Sequence, residues 1–180
     1  DKTAVVIGGG NVAIDCARTI KKMGAKEVKI IYRRSRNEMP AENKEIEEAY
    51  KEGIEFLFQN NIIKIIGKEK VEKVELVKTE LIKKENETRL VPVNIENSNY
   101  IINADYVIFA LGSKPEEFVK NLKLNISKNG KIEINEKYQT SFKKIYAGGD
   151  LAGIKGTVAW AAKSGREAAK NIMQDFLQND

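Results

Sequence analysis

A chain of 180 residues, 42% apolar and 32% charged, can bury one good core, or one domain and part of another. With no histidine and a single cysteine it excludes His-based general-base catalysis, His metal sites and an internal disulfide, and no apolar run approaches the roughly 18–20 residues of a membrane span. The net charge of +5 is spread as lysines interleaved with glutamates along the whole chain, the pattern of a solvated surface rather than a nucleic-acid stripe.

The apolar run 4–7 predicts a buried strand that breaks at once into Gly8-Gly9-Gly10. Gly8 and Gly10, with Ala13, fill the dinucleotide pattern G-x-G-x-x-G/A. The first glycine makes the tight turn, the second lets the backbone approach a pyrophosphate, and the alanine lets a helix sit close on its strand. A helix starting at Asn11 and Val12 turns its unpaired N–H groups and positive dipole end toward those phosphates. Cys16 lies in that helix without a C-x-x-C partner and reads as a small packing residue. Gly24 ends the helix and residues 27–32 read as a second strand. An NAD site places Asp or Glu at the end of this strand, on the ribose 2′-OH. The chain has Tyr32-Arg33-Arg34-Ser35-Arg36 there. Guanidinium forks bind a 2′-phosphate bidentately, which favours NADP(H) over NAD(H), with Arg33 and Arg34 as clamps and Arg36 as a further candidate. The same run also reads as a solvated basic turn or a nucleic-acid patch.

Pro40 fits the first position of a helix over 41–52, with Ile46, Ala49 and Tyr50 on its apolar face and Gly53 as its stop. Residues 54–58 form a third strand and complete β-α-β-α-β. The segments 62–66, 71–82, 89–95 and 100–102 are strand-like and separated by polar turns, which predicts an antiparallel β-meander in place of a crossover helix. Its Lys- and Glu-rich faces carry no assigned chemistry. Residues 106–111 read as a fully buried strand returning to the parallel sheet and ending in Gly112-Ser113-Lys114-Pro115. Ligands bind outside the carboxyl ends of such strands, so Gly112 is either a point of close approach to a nicotinamide or an ordinary turn glycine. Beyond it, 131–134 reads as a hairpin arm after Asn129-Gly130, 144–147 as a strand running into Gly148-Gly149-Asp150, and 156–177 as a helix carrying Val158, Ala161, Ala162, Ala168, Ala169 and Ile172. Trp160, among alanines, reads as a packing or interface residue. The fold class expected is α/β: a Rossmann-like, three-layer β/β/α NAD(P)-binding domain over 1–111, followed by a separate piece over 112–180.

The segments GGGNVAID, YRRSRNEMPA, ALGSKP, YAGGD and GTVAWAAKSGREAA, in this order, resemble the small (beta) subunit of NADPH-dependent glutamate synthase. Its relatives share the order, including the flavoprotein subunit of ferredoxin-linked NADPH oxidoreductases and the flavin half of dihydropyrimidine dehydrogenase. The resemblance covers nearly the whole chain. It implies a two-dinucleotide flavoprotein in which an FAD domain is interrupted by an NADP(H) domain, so that 112–180 would be the C-terminal part of a discontinuous FAD domain. Hydride would pass from NADPH to FAD and electrons would leave through iron–sulfur centres. By resemblance, Gly8, Gly9, Gly10, Asn11 and Val12 hold the pyrophosphate and Arg33, Arg34 and Arg36 the 2′-phosphate. Glu45 either touches the adjoining ribose or is a solvated helix glutamate. Gly149 and Asp150 would meet the FAD ribityl or pyrophosphate, and Thr157, Val158 and Ala159 the pyrimidine edge of the flavin, where a helix N-terminus favours the electron-rich side of the reduced ring. No side chain is expected to act as acid, base or nucleophile, and no metal is expected on this chain.

Two departures stand out. A second G-x-G-x-x-G for FAD is absent, and so are the cysteines that ligate iron–sulfur clusters. With Asp rather than Met at the first position, the chain is expected to be a piece of a longer cytoplasmic protein. Such a piece would not hold FAD tightly and would be inactive alone, with the missing FAD-domain segment and an iron–sulfur domain or large subunit as partners. Two alternatives stand beside this: a non-catalytic NADP(H)-binding or sensing module, and the equivalent part of a ferredoxin-linked NADPH oxidoreductase. The form GTVAWAAKSG leans toward glutamate synthase.

Overall fold

A computed structural model describes residues 1–85, 89–112 and 121–177. Ser113, Lys114 and Pro115 therefore lie outside the described residues. The chain divides into two compact units, Asp1–Gly112 and Ser113–Asp180.

The first unit runs β1 (Thr3–Ile7), α1 (Asn11–Lys22), β2 (Glu27–Tyr32), a 3-10 turn (Arg36–Glu38), α2 (Asn43–Lys51), β3 (Glu55–Phe58), β4 (Asn60–Ile66), β5 (Lys73–Ile82), β6 (Val91–Asn94), β7 (Tyr100–Asn103) and β8 (Tyr106–Phe109). Four of these strands form a parallel sheet in the order β3-β2-β1-β8. Alternation along the strands builds two cores. Val6, Val28 and Ile30 point to one face, against Ala13, Ile14 and Ala17 of α1 and Ile46 and Ala49 of α2. Val5, Ile7 and Ile31 point to the other face, against Val74 and Leu76 of β5. Helices, parallel sheet and antiparallel sheet are thus three layers, and strands buried on both faces read as continuous apolar runs. Ile14 and Ile46 are fully buried, and each contributes about 1.5–3 kcal/mol by leaving water.

The connections depart from expectation at three places. The second helix starts at Asn43, not Ala41. The Ala41 amide donates to Gly9 O (3.1 Å) and the Glu42 amide to Asn11 Oδ1 (3.0 Å), so these residues are spent anchoring the loop to the glycine turn. The antiparallel layer is not a sequential meander. β5 is its centre: β4 pairs with one edge, and β6 and β7 pair with successive stretches of the other, Thr79–Ile82 and Lys73–Leu76 respectively. Finally, β8 is an edge strand among the described residues, with Tyr106 57% and Phe109 55% exposed instead of fully buried.

In the second unit Leu124 and Ile132 form a small core with Ile126, Ile134, Ala147 and Leu151 packed around it. The expected hairpin arm at 131–134 contributes a single bridge, Ile126 to Ile132, closed by a turn at Gly130. Residues 144–147 are likewise not a strand. Tyr146 makes one bridge to Gln139, because Lys144 adopts a left-handed conformation (φ 66°) and a tight Phe142–Ile145 turn interrupts the run. A 3-10 turn (Gly149–Ala152) precedes α3 (Val158–Leu177). Of the apolar residues this helix carries, Ala168 is buried and Val158 is 88% exposed. Ser164 is the other buried residue on the helix.

Candidate functional site

The glycine turn is built by close approach on both sides. Gly8 has φ 152°, and a Cβ there would lie 2.3 Å from Ala110 O, so β8 packs directly on the turn. A Cβ on Gly9 would strike the Tyr32 ring at 2.4 Å. Nothing lies within 4 Å of the place a Gly10 Cβ would occupy. The turn is therefore walled by β8 and Tyr32 and open at Gly10, where α1 begins. Gly10 O accepts both the Ala13 and Ile14 amides, so the helical ladder starts there and the amides of Asn11 and Val12 precede it. The first turn of α1 holds no acid, while its last turn holds Lys21 and Lys22. Val12 is 71% exposed beside the opening.

The arginine turn is locked to that opening. Tyr32 Oη donates to Glu38 O (2.8 Å), and Ser35 caps the short 3-10 turn. The Ser35 amide (3.1 Å) and hydroxyl (2.5 Å) both donate to Glu38 Oε2, which occupies the hydroxyl that could otherwise serve a phosphate. Burial pushes the Tyr32 phenol up, against the opposing pull of Arg34, Arg89 and Arg33 nearby. Arg33 is exposed. Arg34 is partly buried, and its Nε is buried without a hydrogen-bond partner among the described residues. Arg36 Nη2 donates to Asn43 Oδ1 (2.9 Å) and so ties the turn to the first residue of α2. Arg89, on the loop before β6, was not singled out from the sequence; only the pairing of β5 with β6 carries it into the electrostatic reach of Tyr32.

Glu45 has a partner of its own. Arg18 Nη1 donates to its carboxylate at 2.5 Å, and Arg18 Nη2 lies 2.8 Å from both Glu48 and Glu52. This cluster clasps α1 to α2. Gly112 is exposed, with φ 82° and open space around it.

In the second unit Gly148 and Gly149 pack on α3. A Cβ on Gly148 would lie 3.0 Å from Ser164 Oγ, and that hydroxyl accepts the Gly149 amide (2.8 Å) while donating to Ala161 O (2.8 Å). Ser164 is thus the residue that sets the Gly-Gly-Asp turn, and nothing in the sequence pairs it with that turn. Asp150 is exposed, with one oxygen 3.7 Å from where a Cβ would stand on Gly156. Thr157, Val158 and Ala159 are exposed at the start of α3, and Thr157 Oγ1 accepts the Trp160 amide (3.4 Å). The Lys163 ammonium lies 4.7 Å from the centre of the Trp160 ring. No helix among the described residues is long and apolar enough to cross a membrane.

Comparison with known proteins places these features in context. Residues 1–173 match the family described as pyridine nucleotide-disulphide oxidoreductase. The glutamate synthase [NADPH] small chain of Halomonas elongata is 34% identical over 179 residues, covering 96% of this chain and 38% of that protein. That of Escherichia coli strain K12 is 37% identical over 180 residues, again with 96% and 38% covered. The chain thus spans well under half the length of these relatives. Among solved structures, thioredoxin reductase of T. acidophilum superposes with a TM-score of 0.81 at 24% identity, over 98% of this chain and 53% of that one. That similarity speaks for the fold.

Proposed function

This chain belongs to the pyridine nucleotide-disulphide oxidoreductase family, and from that premise we propose that it is the NADP(H)-binding portion of a flavin-dependent oxidoreductase of the glutamate synthase small-subunit type. The observation that carries the reading is the open helix N-terminus at Gly10 together with the exposed Arg33 and the partly buried Arg34 on the turn locked beside it. Guanidinium groups on such a turn bind a phosphate in charge-assisted hydrogen bonds, and Arg34 Nε, closed to solvent, is not among the donors a ligand reaches. The residues fit the group.

Gly8, Gly9 and Gly10 keep the backbone low, and the amides of Asn11 and Val12 bind the pyrophosphate. Arg33 and Arg34 take the 2′-phosphate, with Arg36 and Arg89 adding positive potential. Glu45 is assigned to the α1–α2 clasp because its carboxylate faces Arg18. Gly112 stands at the carboxyl end of β8, where the nicotinamide half would pass. In residues 112–180, Gly149, Asp150 and the amides at Thr157, Val158 and Ala159 would form the closing part of an FAD site that other residues complete. When bound, the nicotinamide supplies a hydride and the flavin accepts it, while this chain orients and stabilises charge. The onward route through iron–sulfur centres to a larger partner subunit is proposed by analogy with the resembling enzymes.

Calorimetric titration with NADPH and, separately, NADH tests the reading. A clear preference for NADPH is expected. Equal binding would mean that the arginine turn does not read the 2′-phosphate.

A further inference from the structure

The antiparallel layer, to which the sequence assigned no chemistry, holds the arginine turn by its backbone. Thr79 on β5 is 3% exposed, and its hydroxyl donates to Arg33 O at 2.8 Å across 46 positions of sequence. The Gln59 amide donates to Arg34 O (3.0 Å), and the Thr79 amide in turn donates to Gln59 O (2.7 Å). Gln59 Nε2 reaches Thr79 O at 3.4 Å, and Gln59 itself sits in the left-handed region at φ 54°. The carbonyls of both clamp arginines are thus nailed to one short network, while the Arg33 side chain stays exposed.

We propose that Thr79 is a positioning residue that sets the preference for NADPH over NADH by fixing the backbone from which Arg33 and Arg34 project. The proposal rests on the NADP(H) reading above. A charge-assisted contact gains most when its donor is already held in place, because little freedom is lost on binding. Three of the anchors of this turn come from the nucleotide-binding half itself: Ala41 to Gly9, Glu42 to Asn11 and Tyr32 to Glu38. Those fix its far end. Its near end, where Arg33 and Arg34 stand, is held from β5 by the only side-chain hydroxyl given to either carbonyl among the described residues. Thr→Val keeps the shape and the β-branch but leaves Arg33 O without that donor, so the Arg33 end of the turn loses its tie while Arg34 O keeps the Gln59 amide. NADH, which lacks the 2′-phosphate, has nothing to lose at that turn.

The test is a series at one position, Thr79→Ser, Thr79→Cys and Thr79→Val, each titrated with NADPH and NADH and each melted in parallel. Thr79→Val is expected to weaken NADPH about three- to tenfold, the worth of one net hydrogen bond, with NADH unchanged. Ser restores the preference and Cys, a weak donor, falls between. If the Val variant does not fold, Ser against Cys decides: equal NADPH/NADH ratios in the two overturn the proposal. So does an unchanged ratio in a folded Val variant, or equal losses for both nucleotides. A parent chain with no NADPH preference would sink the nucleotide reading itself. A parent with the preference and a Val variant that keeps it would sink only the role of Thr79.

Discussion

Arg34 and Arg36 stand two positions apart on one turn yet have different standing. Arg36 already has a protein acceptor in Asn43, whereas Arg34 Nε is buried and short of one among the described residues. The expected outcome of Arg34→Ala is a loss of about 1.5–3 kcal/mol in NADPH binding, roughly one to two orders of magnitude, with NADH almost unchanged. Arg33→Ala should behave similarly. Arg36→Ala should cost less, because its guanidinium must share itself with Asn43. Direct binding measurements on the three variants check the ranking; equal effects of Arg34→Ala on both nucleotides would mean that it acts through folding. Gly9 shows the complementary case. It stands at the variable position between the two pattern glycines, and a side chain there would strike the Tyr32 ring, so packing alone already requires a glycine.

Among the elements, α1 and α2 are held together by charge at their exposed edge and by Ile14, Ala17, Ile46 and Ala49 beneath it. The hydrogen bond from Arg18 holds Glu52 below the usual carboxylate range, and the bond to Glu52 correspondingly raises Arg18. For an acid whose folded value is depressed, the stabilisation is complete above its unfolded value, near ~4.3, and is lost as pH falls through the folded one. Glu52→Gln is therefore expected to lower the melting temperature at neutral pH, with the gap to the parent closing in that acid window. A gap that stays constant down to the lowest pH would exclude the ion pair as its source. The element scale also shows what local pattern can tell. β1, α1 and β2 were legible because the run 4–7, the glycines and the stop at Gly24 are all signals within one turn or strand. The start of α2 was not, since Ala41 and Glu42 are claimed by Gly9 and Asn11, some thirty residues back. Nor was the order of the antiparallel layer. Alternation marks a strand but does not name its partner, and β6 and β7 share one edge of β5 through pairings set by the tertiary fold.

At the scale of the whole molecule, two units divide the candidate sites between them. The glycine and arginine turns lie wholly within Asp1–Gly112, and the Gly-Gly-Asp turn with the start of α3 lies within Ser113–Asp180. On the proposed reading the first can bind its nucleotide unaided and the second cannot hold a flavin. The purified 180-residue chain is therefore expected to show no bound-flavin absorbance and no NADPH-dependent reduction of an artificial acceptor, while still binding NADPH. Retained flavin or acceptor reduction would overturn the idea that residues 112–180 are only part of a flavin site. The glycine and arginine turns could be located from the sequence because they follow contiguous motifs. Ser164 and Thr79 were not, because a buried hydroxyl announces itself only through what it touches.

The tie between Thr79 and Arg33 also has a consequence in time. Helix α1 can form from contacts close along the chain, but the turn that carries the arginines waits for Thr79, 46 positions further on, and the glycine turn waits for Ala110, further away still. Closing so long a loop comes late in folding, since its entropy must be met before the contact repays it. On the proposed reading, a refolding chain would then acquire its nucleotide cradle and its choice of nucleotide only after both closures.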